Sequence, residues 1–90
     1  RNTSRRRLLR ILIPENLDYT GVFDDIFAEY LSEHELIQVK STAMGTLFDL
    51  RYYVTEKDVS REKEMLDHLR ERNGNLTISL SAIPEIVEQL

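Results

Sequence analysis

Ninety residues, 41% of them hydrophobic, allow one small domain with one modest core, since a chain of this length buries only about 60–65% of the surface it exposes when unfolded. No residue is a cysteine, which excludes a disulfide-stapled scaffold and a thiolate zinc site, and the 31% of charged residues sit beside regularly spaced aliphatics rather than replacing them, which argues against a disordered chain. The net charge of −4 is the sum of two unlike parts: five arginines and no acid in the first ten positions, then seven basic against sixteen acidic residues, a balance of −9.

Arg1, Arg5, Arg6, Arg7 and Arg10 supply the first part. The chain opens on Arg rather than Met, and we expect it to be a piece of a longer protein in which residues 1–8 form a basic leader. No apolar stretch follows that would make this leader a signal peptide. The greasiest run, residues 8–13, is interrupted by Arg10 and falls far short of the roughly 20 apolar residues that span a bilayer. Such a leader fits a solvated tail, and it also fits the cytoplasmic flank of a membrane helix, where Lys and Arg are enriched.

The elements follow in order. Leu9, Ile11 and Ile13 alternate with Arg10 and Leu12 until Pro14, which predicts a strand, and residues 14–18 carry the Asn and Asp of a turn. Val22, Phe23, Ile26, Phe27, Tyr30 and Leu31 then fall on one face of a helix, with Asp24, Asp25 and Glu29 opposite; residues 32–34 are expected to close it. Residues 35–42 alternate again as a second strand, residues 43–46 make a hairpin with Gly45 free to take positive φ, and residues 47–55 form a third strand. Asp58 or Ser60 is placed to cap a charged helix over residues 60–72, whose apolar stripe is thin: Met65, Leu66 and Leu69, with Val59. Asn73, Gly74 and Asn75 stop it. Leu76, Ile78 and Leu80 alternate as a last strand, and residues 83–90 read as a short amphipathic tail.

Strand, helix, strand, strand, helix, strand is the order of a ferredoxin-like (ACT-like) βαββαβ sandwich over residues 9–82, an α+β fold with a four-stranded antiparallel sheet and both helices on one face. The helix side is predicted to take Phe48, Leu50, Tyr52, Leu76, Ile78 and Leu80. The other side would carry Gln38, Lys40, Asp49, Arg51, Tyr53, Thr77 and Ser79. That polar face with a few large residues is either solvated or an interface, for a homodimer or another partner.

Catalytic signatures are weak. His34 and His68 lack the spacing of metal ligands, Asp18, Asp24 and Asp25 lack a calcium loop, and no nucleophile elbow or phosphate-binding glycine pattern occurs. We therefore expect no enzyme, no metal and no cofactor. RNA recognition on this frame would need stacking aromatics on the two central strands, and the first strand carries none; the −9 body also opposes phosphate. Two turns remain as candidate ligand or partner sites: Lys40, Ser41 and Thr42 before the hairpin, and Arg72 and Asn75 at the end of the second helix, with Arg51 and Tyr53 on the sheet. Turn and capping chemistry alone already accounts for Gly45, Asn73 and Gly74.

Three segments carry a resemblance. Residues 11–19 (Ile-Leu-Ile-Pro-Glu-Asn-Leu-Asp-Tyr), 39–47 (Val-Lys-Ser-Thr-Ala-Met-Gly-Thr-Leu) and 72–76 (Arg-Asn-Gly-Asn-Leu) resemble, in order, the Ile-x-Ile-Pro-Glu-x-Leu-x-Tyr, Val-Lys-Thr-Thr-x-Met-Gly-Ser-Leu and Arg-Asn-Gly-Asn-Leu motifs of the soluble C-terminal domain of an uncharacterised family of bacterial multi-pass membrane proteins. Ser41 and Thr46 are the conservative departures, and the likeness covers residues 9–80. It implies a domain on the cytoplasmic side of the inner membrane, attached to the membrane-embedded N-terminal part of the same protein, in proteins often encoded beside polyphosphate-polymerase-like partners. The topology is also similar to the ACT-like C-terminal domain of the MgtC/SapB family. Neither likeness supplies catalytic residues.

Overall fold

Alternation builds the centre of the sheet. In the computed structural model, which describes residues 5–84, strand β1 (Arg6–Pro14) places Leu9, Ile11 and Ile13 at 0% exposure. It pairs antiparallel with β3 (Leu47–Glu56) on one side and β4 (Ile78–Ala82) on the other. Strand β2 (Leu31–Thr42) adds to the far side of β3, giving the order β2-β3-β1-β4. Helices α1 (Asp24–Tyr30) and α2 (Glu62–Arg72) contribute Ile26, Phe27, Tyr30, Met65 and Leu69 to the same core as Leu9, Ile11, Leu50, Tyr52 and Val54. Both helices therefore lie on one face, and the α+β fold has the ferredoxin-like βαββαβ layout. Phe48, Ile78 and Leu80 pack partly buried against this core, as alternation predicts.

The helices are tied to each other at both ends. Arg72 Nη2 donates to Asp25 Oδ2 at 2.7 Å and its Nη1 to the carbonyl of Val22 at 3.0 Å. At the opposite end Arg61 reaches Glu29 at 2.8 Å, and the Tyr30 hydroxyl donates to Glu64 at 2.6 Å. Asp58 is the cap ahead of α2: it accepts from the backbone N–H and the hydroxyl of Ser60 and opens a short 3-10 turn, Val59–Arg61.

Five boundaries differ from the sequence expectation. Strand β1 begins at Arg6, so part of the expected leader is ladder, because β3 is long enough to pair back to Arg6↔Thr55. Helix α1 stops at Tyr30, and Leu31 turns extended (φ −118, ψ 136) with its N–H still bonded to the Phe27 carbonyl. Residues 32–34, expected to close the helix, belong instead to β2, since Leu31 lies across from Glu56 and the strand pairs from there onward. Val59 precedes α2 and is 52% exposed rather than part of its apolar stripe. The last strand starts at Ile78, although Thr77 still accepts from the Leu12 N–H at 3.0 Å. Most of the expected tail at residues 83–90, like the first four residues of the leader, lies outside the described residues.

Asn73 joins the second helix to the sheet. It is fully buried, and its Nδ2 donates to the carbonyls of Leu12 and Leu76 at 2.9 and 3.2 Å. Gly74 (φ 74) and Asn75 (φ 62) then turn left-handed, the conformation an αL helix stop requires. In the β2–β3 turn Gly45 takes φ 85 as expected, but Ala43 and Met44 share the left-handed region at φ 53 and 57.

Candidate functional site

The side of the sheet away from the helices has no covering layer among the described residues. Register assigns its occupants: Arg10 lies opposite Arg51 and Ser79, Leu12 and Lys40 flank Asp49, Leu8 lies opposite Tyr53, and Gln38 opposite Arg51. The face expected from alternation is thus present, with Leu8, Arg10 and Leu12 of β1 added to it.

At its centre sits a buried carboxylate. Asp49 is 4% exposed although it faces away from the helices, because two guanidinium groups lie over it. Arg10 donates from Nε to Oδ2 at 3.0 Å, and Arg51 donates from Nε to Oδ1 and from Nη2 to Oδ2, both at 3.3 Å. Two arginines directly opposite each other on neighbouring strands would repel; the carboxylate between them converts that repulsion into a clamp. Burial pushes the Asp49 carboxyl up, but the hydrogen bonds from Arg10 and Arg51 outweigh it and hold the group below the ordinary carboxylate range. Each arginine side chain remains about a third exposed, at 35% and 36%, and a guanidinium carries five donors, so N–H groups of both still point outward. Lys40, exposed on β2 opposite Asp49, adds a third cation. The centre of this face is a pre-ordered cationic patch on an otherwise acidic body.

The residues singled out from sequence separate into two groups. Lys40, Arg51 and Tyr53 share the open face, with Thr42 at its end opposite Leu47. Arg6 lies over the Tyr53 ring at 4.6 Å from its centroid. Ser41 lies opposite Phe48 on the helix side. Arg72 is engaged by Asp25 and Val22 in the helix layer, and Asn75 stands in the turn after α2, its N–H bonded to the Arg70 carbonyl at 3.3 Å. A combined site of Lys40, Ser41, Thr42, Arg72 and Asn75 is not assembled, because the sheet separates Lys40 from Arg72. Sequence reasoning missed Arg10 and treated Asp49 as one polar residue among several. The available signal was an arginine and an aspartate each inside the alternation of a long strand, where a charge needs a partner.

A second unusual carboxylate lies at the far end of β3. Glu56 is 6% exposed and neither of its oxygens finds a hydrogen-bond donor. It lines a cleft of about 220 Å³ with Arg5, Arg7 and Val59. Burial and the neighbouring Glu62 carboxyl push its pKa up to about 7, with Arg7 and Arg5 pulling the other way.

No family model, curated protein or solved structure matches the chain. The likeness of its three motifs to the membrane-protein family has no counterpart in those comparisons.

Other candidates resolve into local structure. Asp18 accepts from the Thr20 N–H and hydroxyl within its own turn. The His34 ring lies tilted beside Phe27 at 5.0 Å between ring centroids, and His68 lies 3.5 Å from Glu71. Among the described residues no three His, Asp or Glu side chains are grouped to hold a metal ion, and no helix is long and apolar enough to cross a membrane.

Proposed function

We propose that this chain is a non-catalytic docking or sensing module, carried on the cytoplasmic side of a bacterial multi-pass inner-membrane protein, whose working surface is the open sheet face. The observation that carries this reading is the Arg10–Asp49–Arg51 clamp. A carboxylate at 4% exposure holds two arginines in fixed positions on a face with no layer over it among the described residues, which lowers the entropy cost of engaging a partner's acceptors. The occupant is the membrane-embedded part of the same protein, as the motif resemblance implies, meeting the face with carboxylates or carbonyls. In the full-length parent protein, Arg51→Glu and Tyr53→Ala should each weaken that docking about tenfold or more with the circular dichroism of the isolated chain unchanged. Normal docking of both variants overturns the assignment.

The three cations around one carboxylate favour a second reading, an ACT-like regulatory module that binds an anion or nucleotide at the same patch. A thermal-shift series with nucleotides, polyphosphate and divalent ions separates the two, since a ligand at 100 times its dissociation constant stabilises by about 2.7 kcal/mol. A shift abolished by Arg51→Glu supports the regulatory reading; no shift leaves docking.

A further inference from the structure

The edge of the sheet offers a second surface, which shares Lys40 but neither Arg10 nor Arg51 with the cationic patch of the open face. Strand β2 is the longest of the described strands at 12 residues and, among the described residues, pairs only with β3, so its outer side presents N–H and C=O groups that no described strand takes up, a template for another strand. Of the five exposed large hydrophobic side chains among the described residues, three lie on this one strand: Leu36, Ile37 and Val39, each 40% exposed. An apolar cleft of about 360 Å³ between α1 and β2, lined by Phe23, Phe27, Leu36 and Tyr52, runs beside them.

We propose that two copies of this chain join along β2 in an antiparallel, two-fold symmetric ladder, making one continuous eight-stranded sheet. The bulge between Leu36 and Gln38 selects the register. Glu33, Glu35, Gln38, Lys40 and Thr42 lie opposite Thr55, Tyr53, Arg51, Asp49 and Leu47 and so share the open face, whereas His34, Leu36, Val39 and Ser41 share the helix side. Without the bulge, Glu35 and Lys40, five residues apart, would point to opposite faces. With it, setting Glu35 against Lys40 of the second copy also sets Glu33 against Thr42, Leu36 against Val39 and His34 against Ser41, every pair on a common face. The two-fold axis repeats each pair, so the interface has two Glu35–Lys40 ion pairs, in which each Glu35 is also reached by Arg6 of its own copy at 3.4 Å, and two Leu36–Val39 contacts, with Ile37 at the junction. Charge complementarity and the clustering of exposed apolar residues therefore meet in one alignment. The proposal does not rest on the docking reading, because this edge leaves Arg10, Arg51 and Tyr53 uncovered.

Charge exchange tests the register. Sedimentation equilibrium of the 90-residue chain is expected to show a dimer. Glu35→Lys or Lys40→Glu alone, each opposing like charges twice, should weaken it about tenfold or more, and the double exchange should restore it to within about threefold. Ile37→Lys, which places two ammonium groups beside the axis at an exposed position, should give a monomer with unchanged circular dichroism and is the second test should a charge variant unfold. A monomer at millimolar concentration overturns the proposal. So does a dimer indifferent to all these changes, or one lost on Arg51→Glu or Tyr53→Ala but kept in the edge variants, which would move self-association to the open face. A monomeric chain that captures an extended peptide along β2 overturns the second copy as occupant.

Discussion

Two carboxylates, Glu56 and Asp49, show how burial alone does not decide a charge. Asp49 is covered by two guanidinium groups and stays ionised below the ordinary range, so its contribution is present above the unfolded carboxylate pKa and is lost as the pH falls through its folded value. Glu56 is shielded to a similar degree but faces a second carboxylate, and its pKa rises to about 7 from an ordinary 4.5. The folded chain therefore holds the Glu56 proton more tightly than the unfolded chain. The stabilisation from this group is full below the unfolded value and disappears as the pH rises through about 7. Glu62, Arg7 and Arg5 are the charged groups that act on it, and Arg7 is itself 3.6 Å from Glu62. We predict that Glu56→Gln removes this slope: urea unfolding at about pH 8 should show the variant more stable than the parent by about 1–3 kcal/mol, the gap closing toward about pH 5. A gap that does not change with pH would mean that Glu56 is ionised throughout.

Of the two helices, α2 is the one held by the thinner buried stripe. Of its eleven residues only Met65 and Leu69 are buried, both at 0% exposure, with Leu66 half-buried beside them. Its remaining attachments are polar: Asn73 to the carbonyls of Leu12 and Leu76, and the surface pairs to α1, of which exposed ion pairs contribute little. Met65→Ala should therefore cost about 2–5 kcal/mol in urea denaturation, a large share of the stability of a domain this small. The thin stripe was legible in the sequence as a periodicity. Leu31 was not: its apolar side chain continues the helical pattern of Phe27 and Tyr30, yet its backbone is extended because a strand is there to pair with. Local periodicity describes which face a residue occupies and cannot tell where a neighbouring strand takes over its hydrogen bonds.

For the whole molecule, the charge partition observed in the sequence acquires a different meaning. Three of the five leading arginines are used inside the domain: Arg6 pairs with Glu35 at 3.4 Å, Arg7 with Glu62 at 3.6 Å and Arg10 with Asp49 at 3.0 Å. The leader thus serves in part as the cationic half of the sheet, and the proposed juxtamembrane placement rests on the motif resemblance rather than on these three charges. The open face is also poorly built for RNA. β1 offers Leu8, Arg10 and Leu12 where a stacking ring is needed, and Tyr53 is already covered by Arg6 at 4.6 Å. We predict no complex with single-stranded RNA in a gel shift at low salt; a complex with steep salt dependence would instead make this face a nucleic-acid surface.

The sequence by itself determined the six elements, their order, the ferredoxin-like layout and the division of the strands into a helix side and an open side. Each of these is a consequence of apolar spacing over a few residues, which the chain carries locally. The tertiary structure alone decided the Arg10–Asp49–Arg51 clamp, the isolation of Glu56 and the separation of Lys40 from Arg72. Arg10 and Asp49 lie 39 residues apart, and they meet only because β1 and β3 settle in one register out of several that alternation permits. The same holds for the edge: residues 35–42 read as a strand wherever they lie, and only the sheet order leaves β2 outermost among the described strands, with the hydrogen-bonding groups of its outer side and three apolar side chains exposed.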